Sequence, residues 1–212
     1  MRRSSTCSQP VRSVQPAIVR APVLGRWQLS NGPGVGEVHD HYLHPQLRYA
    51  YDLVVLRQGR THTGDPHAND SYYAWNRSIR AVADGRIAHW CDSERDNPGY
   101  RGALTKCHDN HVAIQHADGL ITAYLHVRQG SIPQALRKKG APVKAGQVIA
   151  RVGNSGDSSE PHLHFMAYRI DASGRVRSVP VAFSDAWHDA KGTQPVKGVP
   201  LAGAEYTFRA PR

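Results

Sequence analysis

The sequence predicts an all-β fold: an antiparallel β-sheet arranged as a barrel-sandwich on a β-roll, with few short helices. The first observation is a succession of short segments, rich in Val, Ile and Tyr, that are bounded by Gly, Pro, Asn or Asp. This pattern is typical of β-strands separated by turns. The predicted strands lie within residues 49–56, 79–90, 111–127, 147–153 and 162–170.

A weak internal repeat is the second observation. The segments "IRAVADGRIAHW" and "APVKAGQVIARVG" each place a glycine turn between apolar residues and an apolar strand. Such strand–turn–strand steps recur in small antiparallel barrels and sandwiches. Chance is the alternative explanation, because all turn-flanked strands resemble one another.

Two local elements can be placed within this pattern. "HADG" separates "HVAIQ" from "LITAYLHV", and the Asp-Gly pair predicts a tight hairpin between two strands. "IPQALRKKG" is the one segment that predicts a short helix, which we expect to end at Gly140.

The two ends of the chain differ in composition from its centre. Residues 1–36 are rich in Ser, Pro, Gly and Arg, which predicts an N-terminal extension or linker rather than a packed element. Residues 37–185 carry the strand pattern and are the predicted β domain. Residues 186–212 lose that pattern and are expected to form a C-terminal tail.

Composition and charge limit the class of partner. The chain is 40% apolar and 21% charged, as in soluble globular proteins, and no apolar run reaches the ~18 residues of a membrane span. The net charge of +10 favours polyanionic partners such as nucleic acid, an anionic membrane or a cell wall. We expect no nucleic-acid partner, because the basic residues are dispersed and form no known motif.

The N-terminus begins with two arginines but lacks the apolar core of a signal peptide. Export encoded upstream, export by another route, and retention inside the cell all remain open on this evidence.

The cysteines exclude one kind of metal site. None of Cys7, Cys91 and Cys107 forms a CxxC pair, so a cysteine zinc ribbon is excluded. Cys91 and Cys107 flank a loop between two predicted neighbouring strands. We therefore expect a disulfide, which would contribute roughly 3 kcal/mol; two reduced thiols are the alternative, and Cys7 is expected to be free.

Polar residues interrupt three predicted strands and suggest a metal site. His162 and His164 in "PHLH" lie two positions apart, so both imidazoles point to one side of a strand. Asp52 stands in the apolar strand "YAYDLVVL", where a carboxylate is costly unless it is paired or bound to metal. His126 ends the strand of "TAYLHV".

Each of these residues alone is explained by an ordinary surface or hydrogen-bonded position. Together with His41 or His44 upstream, they supply the three ligands of a catalytic zinc site and two spare imidazoles. The chain has no HExxH motif, which argues against a helical zinc site with a glutamate base.

Three segments, "GRIAHW", "NHVAIQHADGLITAYLH" and "GAPVKAGQVIARVGNSGDSSEPHLHF", resemble the lysostaphin-type zinc metallo-endopeptidases of bacterial cell walls, whose fold is the duplicated hybrid motif. The resemblance covers residues 41–168, and its most specific parts are "AYLH", "GQVIARVGNSG" and "PHLH" in the family's order. It implies a zinc-dependent peptidoglycan hydrolase that binds one Zn²⁺ per chain. It also implies peptidoglycan peptides as substrate, a periplasmic, secreted or cell-envelope location, and a monomer.

The resemblance also implies roles for individual residues. His164 and Asp52 match zinc ligands, and His126 and His162 match the two catalytic histidines. Zinc would activate a water molecule, and the two histidines would move protons and stabilise the oxyanion.

The third ligand is where the sequence departs from the family. The commonest family form has a histidine four residues before the aspartate, but that position is Arg48 here. His41 is our first choice as the replacement ligand, and His44 is the alternative.

Two other functions stay open. The chain could be an inactive member of the same fold that binds peptidoglycan or regulates another cell-wall hydrolase. It could also be a carrier domain, since "APVKAGQVIA" resembles biotinyl and lipoyl hairpins. Those hairpins carry a lysine at the tip, whereas Lys144 precedes the turn at Gly146.

Overall fold

β-Strands supply nearly all the regular structure in the computed structural model, which describes residues 15–34, 41, 44–99, 109–191 and 193–210. The strands of this described part are β1 (Ala17–Val19), β2 (Gly25–Asn31), β3 (Tyr51–Val54), β4 (Ser78–Arg80), β5 (Gly85–Cys91), β6 (His111–Gln115), β7 (Ile121–Leu125), β8 (Pro142–Val143), β9 (Val148–Arg151), β10 (Leu163–Ile170), β11 (Val176–Ser178), β12 (Val181–Phe183), β13 (Ala186–Trp187) and β14 (Glu205–Phe208).

The main sheet has the strand order β13-β14-β2-β3-β10-β7-β6-β5-β8, and β11 pairs with β10 beside this path. All of its pairs are antiparallel. The predicted all-β antiparallel fold is therefore confirmed. Its two ends, β13 and β8, do not pair, so the sheet is open rather than a closed barrel.

The two repeat segments of the sequence pair with each other. β4 and β5 come from the first segment, and β8 and β9 come from the second. β4 pairs with β9, and β5 pairs with β8, so the first strand of each unit binds the second strand of the other. The repeat thus corresponds to a reciprocal exchange of strands between two strand–turn–strand units.

The main core lies on one face of the large sheet, between it and the smaller pairs β4–β9 and β1–β12. Its largest fully buried side chains are Trp27, Tyr51, Tyr124, Phe165 and Phe208. Because strand side chains alternate, neighbouring residues of β6, β7 and β10 point to the opposite face. A second apolar cluster forms there, built on Ala50, Ala113, Ile121, Ala123 and Met166.

The predicted hairpin is confirmed, and the predicted helix is wrong. β6 and β7 pair through the turn at 116–119, where Gly119 adopts a φ of +80°. Within 132–140 only a 3-10 turn forms, at Gln134–Leu136. The chain leaves the helical path because Gly140 and Ala141 bond the backbone of Ile87 in β5.

The flanks contribute strands to the sheet, which differs from the expectation of an unpacked extension and tail. β2 and β14 pair with each other, and β2 joins them to β3. The physical reason is the alternation of side chains along a strand, which turns every second residue of β2 and β14 into the core. The buried residues are Trp27 and Leu29 on β2, and Tyr206 and Phe208 on β14. The division into domains at 36 and 186 stays a prediction.

Two further expectations concern cysteines and membranes. Cys91 is a free thiol, while Cys7 and Cys107 lie outside the described residues, so the expected disulfide has no support. Within the described ranges, no helix has the length and apolar character needed to cross a membrane.

Candidate metal centre

Asp52 and His164 come together because β3 and β10 are adjacent antiparallel strands. The two residues are direct partners in the register of these strands. Nδ1 of His164 lies 2.9 Å from Oδ1 of Asp52. The carboxylate that interrupts the apolar strand is thus paired with an imidazole rather than exposed.

His41 reaches the same carboxylate from a segment upstream of β3. Successive i→i+3 turns, from His44 N to His41 O and from Leu47 N to His44 O, fold this segment back over the end of the sheet. Nε2 of His41 lies 3.4 Å from Oδ2 of Asp52. The ligand atoms of His41, Asp52 and His164 lie within 4.8 Å of one another, the one such group of three among the described residues.

Neither His44, the alternative ligand, nor Arg48 belongs to this group of three. His44 lines the same cavity as these three residues. Arg48, four residues before Asp52, lines a separate cavity beside Tyr49 and Arg177.

His126 and His162 stand side by side next to the group of three. Their ring centroids are 4.7 Å apart, and His126 lies 5.8 Å from the ring of His164. Nδ1 of His126 lies 2.8 Å from the carbonyl oxygen of Ser155, and Nδ1 of His162 lies 2.8 Å from that of Glu160. A carbonyl only accepts, so each ring carries a proton on Nδ1. Nε2 of His162 lies 3.5 Å from Oδ1 of Asp52.

The "GNSG" segment, residues 153–156, forms a buried polar hub. Asn154 and Ser155 are fully buried. The amide nitrogen of Asn154 lies 2.9 Å from the carbonyl of Pro98 and 3.1 Å from Oδ1 of Asn69. Ser155 Oγ lies 3.0 Å from the backbone nitrogen of Asn110, so this segment ties the 93–99 loop and β6 to the backbone that holds His126.

His126 itself has an unusual backbone conformation, with a φ of +59°. This left-handed region is uncommon for a residue with a side chain. The backbone nitrogen of Gly153 bonds the carbonyl of His126 at 3.0 Å. Hydrogen bonds to Gly153 and Ser155 thus fix both the backbone and the ring of His126.

The pKa values of the site residues are shifted in different directions. Burial acts to raise the pKa of Asp52, but hydrogen bonds and charge from His162 and His164 outweigh it and hold the pKa well below its usual value. Burial, together with the charges of His162 and His164, lowers the pKa of His126 to about 3. Burial also acts to lower the pKa of His162, but the hydrogen bond and charge of Asp52 outweigh it and raise the pKa.

These residues line a cavity of about 470 Å³. Two imidazoles and one carboxylate, with open space beside them, form the ligand set of a catalytic zinc site. Tetrahedral zinc with bonds of about 2.0–2.1 Å separates its ligand atoms by roughly 3.3 Å. Nδ1 of His164 lies 2.9 Å from Oδ1, and Nε2 of His41 lies 3.4 Å from Oδ2, of the same carboxylate. Both imidazoles are therefore near enough to Asp52 to share a metal ion with it.

The structure adds residues to the cavity that the sequence did not indicate. Nδ2 of Asn31, on β2, lies 3.5 Å from Nε2 of His41. Asp109, Leu125 and Ser158 also line the cavity. No motif marks them, because their place depends on strand register and on packing of the N-terminal flank.

Comparison with known proteins follows this geometry. Residues 67–177 match the sequence profile described as Peptidase family M23. The chain is 33% identical over 113 residues to the DD-carboxypeptidase/endopeptidase Mpg of Neisseria meningitidis serogroup B, covering 53% of this chain and 21% of the relative. It is 29% identical over 153 residues to the peptidoglycan DD-endopeptidase ShyA of Vibrio cholerae, covering 72% of this chain and 27% of the relative.

Among solved structures, the chain resembles a mutant catalytic domain of the prophage-encoded M23 protein EnpA from Enterococcus faecalis. The TM-score is 0.45 at 23% identity, and the match covers 74% of this chain and 92% of that chain. The matched parts of Mpg and ShyA are 21% and 27% of those proteins, so the chain corresponds to a minor part of their length.

Proposed function

Because the chain belongs to peptidase family M23, we propose that it is a zinc-dependent endopeptidase that hydrolyses peptide bonds in bacterial peptidoglycan. The observation that carries this proposal is the group of three ligand atoms, from His41, Asp52 and His164, within 4.8 Å of one another. The two proposed catalytic histidines, His126 and His162, line the same cavity. An inactive member of the fold would not need this complete set.

In the proposed site, His41, Asp52 and His164 hold the zinc ion, and the cavity leaves room for water and a peptide. Zinc supplies Lewis-acid chemistry when bound: it polarises a peptide carbonyl and lowers the pKa of water. Asp52 contributes a carboxylate whose low pKa keeps it ionised. His44 remains the alternative to His41.

The two neighbouring histidines carry out the proton transfers. Nδ1 of His126 and of His162 donates to a carbonyl, so each ring has a fixed orientation. Nε2 of His126 can accept a proton, and Nε2 of His162 faces Asp52. His126 accepts a proton from the attacking water through Nε2 as the water oxygen bonds to the carbonyl carbon. Although burial acts to lower it, the pKa of His162 is raised by Asp52, so this ring carries a second proton on Nε2. It donates that proton to the amine nitrogen as the carbon–nitrogen bond breaks.

Chemistry and the relatives' names support peptidoglycan as the substrate. Mpg and ShyA are named as a carboxypeptidase/endopeptidase and as a peptidoglycan DD-endopeptidase. The net charge of +10 is compatible with an anionic cell envelope. We place the protein at the cell envelope, in the periplasm or outside the cell, where this substrate lies, and expect a monomer.

Digestion of purified, insoluble peptidoglycan tests the proposal. The zinc-loaded protein is expected to release soluble fragments, and mass spectrometry should show a new amine and a new carboxyl group within their peptides. A chelator should abolish release, and added zinc should restore it. Asp52→Ala serves as the matched inactive variant.

The outcomes distinguish the two remaining functions. If the folded, zinc-loaded protein releases no fragment, the endopeptidase function is excluded. Binding of that protein to the same insoluble peptidoglycan would then identify an inactive, binding member of the fold. Absence of zinc from a folded sample supplied with metal would exclude the metal centre itself.

A further inference from the structure

A trough begins at the metal centre and continues across the sheet. His164 pairs with Leu125 on β7, and Leu125 pairs with His111 on β6. The next row on the same face runs from Met166 through Ala123 to Ala113. This is the face that carries the second apolar cluster, opposite the main core.

The trough has a volume of about 670 Å³ and adjoins the metal cavity. Leu47, Asp109 and Leu125 line both spaces. Ala113 and Ala123 form its floor. The opposite face of the same strands, which faces the main core, carries larger side chains. Small floor residues leave depth for an extended backbone with small side chains lying against the sheet.

Cationic and imidazole groups line the rim of the trough. Arg175, beside β11, is exposed and lines it. Arg177, two residues later on β11, bonds Asp171 at 2.8 Å, whereas the guanidinium of Arg175 has no hydrogen bond or ion pair with the described residues.

A histidine pair forms the opposite side of the rim. Nε2 of His111 lies 2.6 Å from Nδ1 of His89, and the two rings stack with centroids 4.9 Å apart. Asp109 is the acidic group that lines the trough among the described residues, and it is already engaged by Nδ1 of His111 at 3.0 Å. The remaining cation on the rim, Arg175, is available for an anionic ligand.

We propose that this trough binds the peptide segment next to the bond that is cut, and that it selects a segment with small side chains and a free carboxylate. Arg175 binds the carboxylate, the His89–His111 pair bounds the opposite side of the trough, and the alanine floor accepts the peptide backbone. The inference rests on the proposed endopeptidase function, because it assigns a substrate preference to that same site.

A matched pair of substrates tests the preference. Cross-linked peptides purified from peptidoglycan are used with free carboxylates and after amidation of those carboxylates, and kcat and KM are measured for each. Loss of one charge-assisted contact is expected to raise KM about tenfold for the amidated form, with kcat within about twofold. Arg175→Gln is expected to raise KM for the free form by a similar factor and to remove the discrimination.

Two more variants complete the experiment. Lys139→Gln removes an equally exposed positive charge outside the trough and should leave KM and the discrimination unchanged. Ala123→Leu fills the floor and should raise KM for both substrates at unchanged zinc content. Arg175 is exposed, so its variant remains informative even if Ala123→Leu fails to fold.

The result separates failure of this inference from failure of the proposed function. Equal KM values for the two substrates in the wild-type protein, unchanged in Arg175→Gln, would overturn the inference and leave the endopeptidase function standing. If neither substrate is cleaved by the zinc-loaded protein, the proposed function fails. Dissociation constants of the two uncleaved peptides, measured by calorimetry, then test the trough directly by the same comparison.

Discussion

Asp52 and His164 are direct partners across two antiparallel strands, and their side chains meet at 2.9 Å between Oδ1 and Nδ1. Both backbones are therefore fixed by the ladder of the main sheet. His162, two residues earlier, precedes β10 and approaches the same carboxylate at 3.5 Å through Nε2. The two histidines of "PHLH" thus occupy different positions relative to Asp52.

This difference predicts different effects of replacing the two histidines. His164→Ala removes a proposed ligand and should weaken zinc binding by more than about 100-fold, since even the partners of metal ligands contribute about 10–100-fold. His162→Ala should keep zinc within about tenfold of the wild-type affinity and lower kcat by about 10²–10⁴-fold, as expected for loss of an acid–base group. Zinc affinity is measured by competition with a chromogenic chelator, and kcat on purified peptidoglycan peptides.

Circular dichroism of both variants checks that they are folded. Equal retention of zinc by the two variants would contradict the division of roles within "PHLH". Loss of zinc from His162→Ala alone would reverse it.

A second comparison concerns the ligand from the N-terminal side of β3. Nε2 of His41 lies 3.4 Å from Asp52, whereas His44 lines the cavity without joining the group of three. His41→Ala should therefore lower zinc affinity by more than about 100-fold, and His44→Ala should change it by less than about tenfold. Measured zinc content after dialysis against dilute chelator distinguishes them, and the reverse order would assign the ligand to His44.

The strands and the metal-site candidates could be predicted because their signals are local. Alternation and turn residues identify β6, β7 and the hairpin between them, and an ionisable residue in an apolar strand identifies Asp52. The structure brings the five candidate residues His41, Asp52, His126, His162 and His164 to one cavity. Their roles stay predictions.

Features that depend on distant pairing could not be predicted. His41 reaches Asp52 because turns around His44 and Leu47 fold the chain back, and no residue pattern specifies that path. β2 and β14 are separated by most of the chain, so neither short strand was recognised without its partner. Their alternating apolar residues, such as Trp27 with Leu29, were the available signal.

The helix at 132–140 was mispredicted for a related reason. Local propensity favours a helix. However, the backbone of residues 140–141 forms hydrogen bonds with Ile87 of β5, so it cannot form helical hydrogen bonds. The ion pair between Arg137 and the buried Asp92, at 2.8 Å, further fixes this segment. Tertiary pairing therefore outweighs a weak helical preference here.

The buried hub at Asn154 predicts a large effect on stability. Asn154→Ala removes the amide that faces the carbonyls of Pro98 and Gly99, and buried acceptors left without a donor destabilise the fold. The free energy of unfolding should fall by about 2–4 kcal/mol. Asn154→Asp keeps the size of the side chain but places an acceptor against these carbonyls, so it should cost at least as much. Urea denaturation measures both.

Gln129→Ala is the matched control for the hub. Its side-chain nitrogen donates one exposed hydrogen bond, of 2.9 Å, to the carbonyl of Ser93. The free energy of unfolding of this variant should be about 0.5 kcal/mol lower than that of the wild-type protein. An effect of Asn154→Ala no larger than that of Gln129→Ala would show that the hub does not stabilise the loop at 93–99.

The pair formed by Asp109 and His111 predicts a pH-dependent contribution to stability. Burial acts to lower the pKa of His111, but the hydrogen bond and charge of Asp109 outweigh it and raise the pKa above 6.5. Burial acts to raise the pKa of Asp109, but the hydrogen bond and charge of His111, with charge from His126, outweigh it and lower the pKa below 3.8. A raised histidine pKa stabilises the fold below pH 6.5. This contribution is lost as the pH rises through the pKa of His111 in the folded protein. A lowered aspartate pKa stabilises the fold above pH 3.8. The pair therefore contributes most to stability between pH 3.8 and pH 6.5.

His111→Gln should therefore destabilise the protein more at pH 5.5 than at pH 8.5, because the contribution of the charged pair is lost as the pH rises through the raised pKa of His111. The difference between the two pH values should be about 0.5–1 kcal/mol for an ion pair at a partly exposed site. Urea denaturation at both pH values, with metal removed throughout so that metal release does not contribute, gives this difference. His67→Gln replaces an exposed histidine away from the pair and controls for the loss of a histidine as such. An equal effect of His111→Gln at the two pH values would show that the ion pair with Asp109 does not stabilise the fold, and a larger effect at pH 8.5 would reverse the sign of the linkage.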